Sequence, residues 1–327
     1  MNVKVSVIMA VYNAAQYLDE AISSVLNQSL TEWELFCIDD GSEDDSYAIL
    51  SCYAQNDSRI KLHKQANAGP MSARIVGIQH ASGEYIMYLD ADDMFSIDLL
   101  EKTYQRAIET GADVVAPDVY DGIKRWNEKF DIDISKTLSS IEAFAETFPW
   151  KKVHGINLWR AALLKKYATF EFVGDNNFNA DEVLQRLLLL NCNKLVYSEG
   201  YYYYRLNPNS ITHKLTLRQF KRLKGNRQLI QMAKDYQVGT EIERKVEAYT
   251  FLSLIVILSL FFRKKKNLTP QEQNIAMEML REEYTHFENL KSLPIGGILK
   301  KTLLTNGFSL FACVVYLHTL IQRIRNK

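Results

Sequence analysis

Met87-Tyr88-Leu89-Asp90-Ala91-Asp92-Asp93 closes an apolar run that begins at Tyr85 and sets three carboxylates within four positions. An apolar run of that length between polar flanks reads as a buried strand of a parallel sheet. Carboxylates crowded at the C-terminal end of such a strand repel one another and resist desolvation, so the pattern asks for a cation. A hard cation, Mg²⁺ or Mn²⁺, suits it when it holds a diphosphate, because it takes oxygen ligands and leaves positions open for phosphate oxygens. The competing reading is a solvated loop in which Asp92 or Asp93 caps a helix N-terminus.

The preceding residues decide between the two. Residues 3–11 form a near-continuous apolar strand, and residues 14–28 follow with a helical pattern. A second strand over 33–38 runs into Asp39-Asp40-Gly41-Ser42, then come a helix over 45–55, a short strand over 59–63 and a helix over 71–80. Strands alternating with helices at this spacing predict βαβ units and a doubly wound parallel sheet. Such sheets bind ligands at the carboxyl ends of their strands. Asn13, Asp39, Asp40 and Asp92 all fall at those ends, where a nucleotide would sit.

Four segments carry a family likeness: Val-Ser-Val-Ile-Met-Ala-Val-Tyr-Asn-Ala (5–14), Ile-Asp-Asp-Gly-Ser (38–42), Asn-Ala-Gly-Pro-Met-Ser-Ala-Arg (67–74) and Ser-Gly-Glu-Tyr-Ile-Met-Tyr-Leu-Asp-Ala-Asp-Asp (82–93). In this order, they resemble the family 2 glycosyltransferases. The resemblance implies an α/β chain of GT-A fold: a doubly wound, mostly parallel sheet flanked by helices, with a C-terminal helical region. It also implies sugar transfer from a nucleotide diphosphate donor, with inversion at the anomeric carbon. On that likeness, Ala10, Val11, Tyr12 and Asn13 line the nucleotide pocket through backbone groups, and Asp40 or Asp39 accepts a hydrogen bond from the base. Asn67 belongs to the same donor site. Arg74 approaches the donor phosphates or braces the acidic motif. Asp90 and Asp92 span ribose and metal, Asp92 being the metal ligand and Asp93 a support. Two positions depart from the family pattern: Ala10 stands where Pro is frequent, and Ile75 where Asn follows the Arg. Blander readings exist for each part. Asp39 and Asp40 would suit an Asx-turn, Arg74 a helix surface, and Gly69 and Gly83 simple backbone turns.

Inverting transfer needs a base for the acceptor hydroxyl proton. The resemblance places an acidic pair before a helix that leads into an aromatic strand, which here points to Asn177-Phe178-Asn179-Ala180-Asp181-Glu182-Val183. Asp181 is the expected base and Glu182 the second choice, since the family commonly reads Glu-Asp. Both acids would equally complement a helix dipole. The strand over 194–204 ends in four tyrosines and Arg205, whose guanidinium offers a bidentate fork for phosphate oxygens. In the loop beyond it, His213 would complete the metal shell.

With 327 residues, 47% of them apolar, the chain accommodates a catalytic domain over 1–214 and a helical region over 215–327. Cys37, Cys52, Cys192 and Cys313 show neither CxxC nor metal spacing, which predicts reduced core residues of a cytosolic protein. The N-terminus reads as a strand and not as a signal peptide. A net charge of zero hides an asymmetry: residues 1–204 hold 18 Lys and Arg against 30 Asp and Glu, and residues 205–327 hold 21 against 9. Apolar stretches over 248–262 and 303–321 adjoin basic residues, among them Arg263-Lys264-Lys265-Lys266. Such flanks suit peripheral attachment to the anionic inner face of the cell membrane, and a buried helical subdomain is the alternative. The first stretch falls short of the roughly 20 residues a spanning helix needs. Without aromatic–basic interleaving or a known module, nucleic acid is not an expected partner.

The expectation is therefore a metal-dependent (Mn²⁺ or Mg²⁺) inverting hexosyl- or N-acetylhexosaminyltransferase. It would use a nucleotide-sugar donor, a UDP-sugar foremost, and a glycan or lipid-linked acceptor of bacterial surface polysaccharide synthesis. The alternative is a catalytically inactive nucleotide-sugar-binding scaffold. A nucleotidyltransferase would want a Gly-rich loop after the first strand, where this chain has Val11-Tyr12-Asn13-Ala14.

Overall fold

Strand β1, Val5–Val11, is buried at every residue but Ala10. Successive side chains of a strand point to opposite faces. Val5, Val7, Met9 and Val11 accordingly join one core layer while Ile8 joins the other. Both faces are covered, which is why this stretch shows no apolar–polar alternation.

The computed structural model describes residues 2–121, 125, 131–148, 153–173, 180–206, 215–287 and 307–325. Among these, nine strands make one sheet: β1, β2 (Trp33–Asp39), β3 (Ile60–Lys64), β4 (Tyr85–Tyr88), β5 (Met94–Phe95), β6 (Val114–Tyr120), β7 (Thr137–Ser139), β8 (Leu158–Arg160) and β9 (Lys194–Tyr203). Their spatial order is β3-β2-β1-β4-β8-β6-β9-β5, with β7 also paired to β9. Strands β3, β2, β1 and β4 run parallel. Beyond β4 the sheet is mixed: β8 is antiparallel to both β4 and β6, and β9 is parallel to β6 but antiparallel to β5 and β7.

The helices are α1 (Ala15–Leu26), α2 (Ser46–Asn56), α3 (Pro70–His80), α4 (Leu99–Thr110), α5 (Ser140–Ala145), α6 (Ala161–Tyr167), α7 (Phe170–Val173) and α8 (Ala180–Asn191). Leu18 and Ile22 of α1, Leu50 of α2 and Leu100 of α4 cover one face of the sheet. Ile75 of α3, Leu164 of α6 and Leu188 of α8 cover the other. The doubly wound arrangement follows.

Asp92 and Asp93 cap no helix. Asp93 N–H donates to the Asp90 carbonyl (3.0 Å), closing a turn that feeds β5, and α4 begins only at Leu99. Of the four cysteines, Cys37 and Cys192 are buried, while Cys52 and Cys313 are exposed and so lie outside the core expected for them.

One buried polar knot fixes the N-terminal edge of the parallel strands. The Glu34 carboxylate accepts from Ser6 Oγ (2.6 Å), Ser82 N–H (2.7 Å) and Ser82 Oγ (2.9 Å), and Ser6 Oγ accepts from Gly83 N–H (2.9 Å). Three segments distant in sequence are thereby tied together, and a buried carboxylate is acceptable only when satisfied in this way. A Cβ on Gly83 would stand 2.7 Å from Ser6 N, against backbone that cannot swing aside.

The chain divides into two compact units, Met1–Asn207 and Pro208–Lys327. In the second lie α9 (Leu217–Phe220), α10 (Arg222–Asp235), α11 (Thr240–Lys264), α12 (Pro270–Thr285) and α13 (Gly307–Arg325). Thr269 and Glu272 form a reciprocal capping box with Pro270 in the first turn, a strong start signal for α12. The apolar stretch 248–262 is part of the 25-residue α11. Together with the turn after it, α11 is the one helix among the described residues long and apolar enough to cross a membrane. Its inner face, with Phe251, Leu254, Leu258 and Phe261, packs with Phe220, Tyr284 and Phe311 into a core of the unit's own.

Gly83→Ala should destabilise the first unit by about 1–3 kcal/mol, the usual cost of forcing a group into packed surroundings. Urea unfolding of the variant checks this. An unchanged midpoint would mean that the Ser6–Glu34–Ser82 knot yields freely.

Candidate active site

The loop after β1 is sewn to the loop after β2. Asn13 adopts a left-handed conformation (φ 49°), which asparagine tolerates better than most residues. Its Oδ1 accepts from Glu43 N–H (2.8 Å), and its own N–H donates to Ser42 Oγ (3.1 Å). Ala14 N–H donates to Ser46 Oγ (2.9 Å) and Ala15 N–H to Asp44 (3.1 Å). Burial would raise the Asp44 carboxyl, but its hydrogen bonds from Ser46 and Ala15 prevail and hold it below the ordinary range. Tyr12 is exposed beside this seam, Val11 is buried and Ala10 half-buried.

Asp39 and Asp40 have separate environments. Asp40 is buried and its oxygens are occupied: Oδ1 accepts from Gln65 Nε2 (2.7 Å) and Ala68 N–H (2.9 Å), Oδ2 from Gly69 N–H (2.8 Å). It anchors the loop 65–69, which carries the exposed Asn67. Gly41 (φ 77°) lies under that loop, and a Cβ there would come within 2.9 Å of Asn67 N. Asp39, in contrast, accepts only at Oδ1, from Ser42 N–H (3.3 Å), while its Oδ2 is buried without a partner. The turn reading describes one oxygen of Asp39 and leaves the other open.

In the acidic turn after β4, each carboxylate is treated differently. Asp90 pairs with Arg74 of α3 (2.6 Å), whose guanidinium carbon lies 5.1 Å from the centroid of the Tyr88 ring. Arg74 is therefore a half-buried brace and not a surface residue. Burial lowers its proton affinity, but the charges of Asp90 and Asp181 outweigh that and raise it. Asp93 is buried, accepting from the Tyr202 hydroxyl at Oδ2 (2.7 Å) and from Arg205 N–H at Oδ1 (2.8 Å). The Tyr202 hydroxyl accepts in turn from Asp90 N–H (3.1 Å). Burial, with repulsion from Asp90 and Asp92, pushes the Asp93 carboxyl well above its ordinary value. Asp92 is half-buried, and its carbonyl accepts from Arg205 Nε (2.8 Å).

Two of the three guanidinium nitrogens of Arg205, expected as a fork for phosphate, bond within the protein. Besides Asp92 it meets Glu20 of α1, and its plane lies over the Tyr17 ring at 5.4 Å. The sequence names Tyr202 only as one of four consecutive tyrosines and gives it no role at the acidic turn, and Glu20 is absent from that reading. Strand alternation in Tyr201 to Tyr204 could have found Tyr202, since every second residue of a strand faces inward. Glu20, an exposed acid on an amphipathic helix, gives no such signal.

Asp181 and Glu182 open α8. Glu182 pairs with Arg186 one turn on (3.5 Å). Arg186 is buried, bonds Thr147 Oγ1 (3.2 Å) and lies 4.5 Å from the Phe148 ring centroid. Asp181 is exposed, and its charge acts on both Arg74 and Tyr88. Asp181 is thus within electrostatic reach of Arg74 and of Tyr88 at the end of β4, and Glu182 is tied into the helix. His213 and residues 177–179 lie outside the described residues.

Among the described residues, no three His, Cys, Asp or Glu side chains cluster as a closed metal shell. A cation here would take Asp92 from the protein and draw its other ligands from diphosphate oxygens and water, as Mg²⁺ and Mn²⁺ readily do. Burial is the main cause of the raised Asp93 carboxyl, and the repulsion from Asp90 and Asp92 that adds to it is what such a charge relieves. On that count the residues present fit a cation.

Comparison with known proteins gives the family. Residues 6–170, half of the chain, match the family described as glycosyl transferase family 2. The uncharacterized glycosyltransferase EpsJ of Bacillus subtilis is 30% identical over 222 residues, which cover 64% of this chain and 62% of EpsJ. A cholesterol galactosyltransferase of Borreliella burgdorferi is 35% identical over 194 residues, covering 58% of this chain and 50% of its own. The matches thus span between half and two thirds of these relatives. S. aureus TarS 1–349, in complex with UDP-GlcNAc, has a TM-score of 0.68 at 18% identity, covering 97% of this chain and 89% of that one. The mannosyltransferase PcManGT from Pyrobaculum calidifontis, in complex with GDP-Man and Mn²⁺, has a TM-score of 0.55 at 15% identity, covering 100% and 88%. At such identities the structures speak for the fold alone, a GT-A-like α/β architecture. The strand-end acids from Asp39 to Asp93 lie inside the matched segment, and the chain belongs to glycosyl transferase family 2.

Proposed function

We propose that the chain transfers a sugar, with inversion, from a nucleoside diphosphate-sugar to a hydroxyl of a glycan or lipid-linked acceptor. The observation that carries this reading is Asp39 Oδ2, a buried carboxylate oxygen without a partner at the ligand-binding end of the sheet. Leaving such an atom unmet is costly, so a donor belongs there. The imide N–H of uracil supplies one, and a UDP-sugar is the donor we favour; the UDP-GlcNAc bound to TarS is in keeping with it.

In this reading the seam of Asn13, Ser42 and Asp44 fixes the backbone on which the nucleoside rests. Asp90, held by Arg74, and Asp92 stand where ribose and diphosphate meet. A divalent cation bound at Asp92 would counter the charge that grows on the leaving diphosphate. Asp181 takes the proton of the acceptor hydroxyl as its oxygen bonds to the anomeric carbon and the bond to the diphosphate oxygen breaks. Glu182, locked to Arg186, is the weaker candidate for the base. The competing reading, an inactive nucleotide-sugar binder, predicts UDP binding without any turnover or slow hydrolysis of the donor.

The second unit supports a place at a membrane surface, on the cytoplasmic side where soluble nucleotide-sugars are at hand. Leu252 and Val256 on α11, and Leu310 and Leu317 on α13, are exposed apolar residues at helical spacing. Phe262 and Tyr316 join the two helices (ring centroids 5.1 Å), and residues 263–266 extend the face with four basic side chains. An apolar face with a basic rim suits anionic lipid, and the acceptor class of a lipid-linked surface-polysaccharide intermediate follows from that.

Three outcomes are expected. Asp39→Asn should weaken UDP binding about tenfold, the scale of one charge-assisted hydrogen bond; titration calorimetry showing unchanged affinity would exclude Asp39 as the base-reading residue. Asp181→Asn should lower turnover by roughly 10²–10⁴-fold with donor binding nearly intact. A dead Glu182→Gln beside an active Asp181→Asn would move the base one position. Replacing Arg263 and Lys264, Lys265 and Lys266 by Gln should release the protein from anionic vesicles at low salt, while a wild type that ignores such vesicles would refute the membrane reading.

A further inference from the structure

Tyr88 is the last residue of β4, in register with Ile8 of β1 and two residues before Asp90. Its ring packs against the layer that α3 covers, with the Arg74 guanidinium carbon 5.1 Å from the ring centroid. The residue is half-buried, yet its hydroxyl oxygen is buried and finds no hydrogen-bond partner among the described residues. An unmet buried hydroxyl costs free energy, and native structures rarely keep one without a reason. Trp33 and Trp159 also carry buried nitrogens without a partner, but Trp33 opens β2 at the opposite edge of the sheet and Trp159 is the middle residue of β8. Tyr88 stands at the carboxyl edge, where ligands of such sheets bind.

Its surroundings select the kind of ligand. Arg74 is paired with Asp90, and the charge of Asp181 also reaches Tyr88. One cation beside two carboxylates leaves the spot with a negative balance, which repels a phosphate oxygen and accepts a neutral hydroxyl. Burial raises the proton affinity of the phenol, Arg74 opposes this and Asp181 adds to it, so the group stays protonated and can both donate and accept.

The order of groups along the edge identifies the ligand further. With the nucleoside at Asp39 and the diphosphate at Asp90 and Asp92, the transferred sugar is the next group of the donor. Its anomeric carbon must also come near the base, Asp181, whose charge is felt at Tyr88.

We infer that the Tyr88 hydroxyl hydrogen-bonds a hydroxyl of the transferred sugar and is a specificity-determining residue of the donor site. This rests on the reading of the chain as a UDP-sugar transferase with Asp181 as its base. Because the ring is partly exposed, a sugar seated on its open part reaches the hydroxyl after a small shift of neighbouring side chains. A site that bonds a substrate hydroxyl in this way discriminates between sugars that differ there.

The test compares the full-length wild type with Tyr88→Phe, which removes the hydroxyl oxygen alone. Calorimetry with Mn²⁺ measures the affinity for UDP and for whichever of UDP-glucose, UDP-galactose, UDP-GlcNAc and UDP-GalNAc the wild type binds most tightly. Tyr88→Phe should weaken the UDP-sugar about three- to tenfold, the scale of one neutral hydrogen bond, and leave UDP unchanged. Its urea midpoint without ligand should be no lower than that of wild type, since a buried hydroxyl without a partner has been removed. Equal losses for UDP and UDP-sugar would assign the hydroxyl to the nucleotide and overturn the inference. Unchanged affinities, a lowered midpoint or a variant that does not fold would overturn it too, the last two by showing a structural role. A wild type that binds neither UDP nor any of these sugars defeats the donor reading itself, whereas one that binds them beside an indifferent Tyr88→Phe defeats this inference only.

Discussion

Three carboxylates in four residues cannot share the end of a buried strand unless each has a different environment. Here Asp90 is neutralised by Arg74, Asp93 is buried and bonded to Tyr202 and Arg205, and Asp92 remains at the turn with its carbonyl held and its carboxylate half-buried. The partners come from α3 and from the end of β9, so the turn has its shape only once the sheet is complete. Position of the site and closure of the sheet are one requirement. The same division of labour recurs at Asp39 and Asp40, where one acid anchors a loop and the other keeps an oxygen open.

Much of this was legible in the residues. The apolar runs 3–11 and 33–38 and the acids after them gave the parallel half of the sheet, because strands buried on both faces cannot be mistaken for amphipathic ones. The order of motifs gave the family. What could not be read was which acid does what. Asp39 and Asp40 are adjacent and chemically alike, and only the loop 65–69 closing on Asp40 separates them. The antiparallel insertion of β8 between β4 and β6 was equally hidden, since a three-residue strand carries no periodicity of its own. Arg205 was visible as a guanidinium near the site, but its partner Glu20 lies 185 residues away in sequence and gives no local sign.

In the second unit, the apolar stretch that ends before residues 263–266 is the C-terminal part of a longer helix. Thr240 to Glu247 adds polar turns that composition alone assigned to no element, and the buried positions Val246, Thr250, Phe251, Leu254 and Leu258 recur at helical spacing. One helix thus has a core face and an outer face with Leu252 and Val256. A long apolar helix of this kind is explained by packing on one side. Its other side is the face on which the proposed membrane attachment rests.

The central claim is that these strand-end acids hold a nucleoside diphosphate, with distinct roles for Asp39, Asp92 and Asp93. A crystal structure of the chain with UDP and Mn²⁺ tests it most directly. The account predicts uracil bonded to Asp39 Oδ2, the cation on Asp92, and Asp93 still accepting from Tyr202. Uracil placed away from Asp39, or a cation bound by Asp93 after it has left Tyr202, would contradict it.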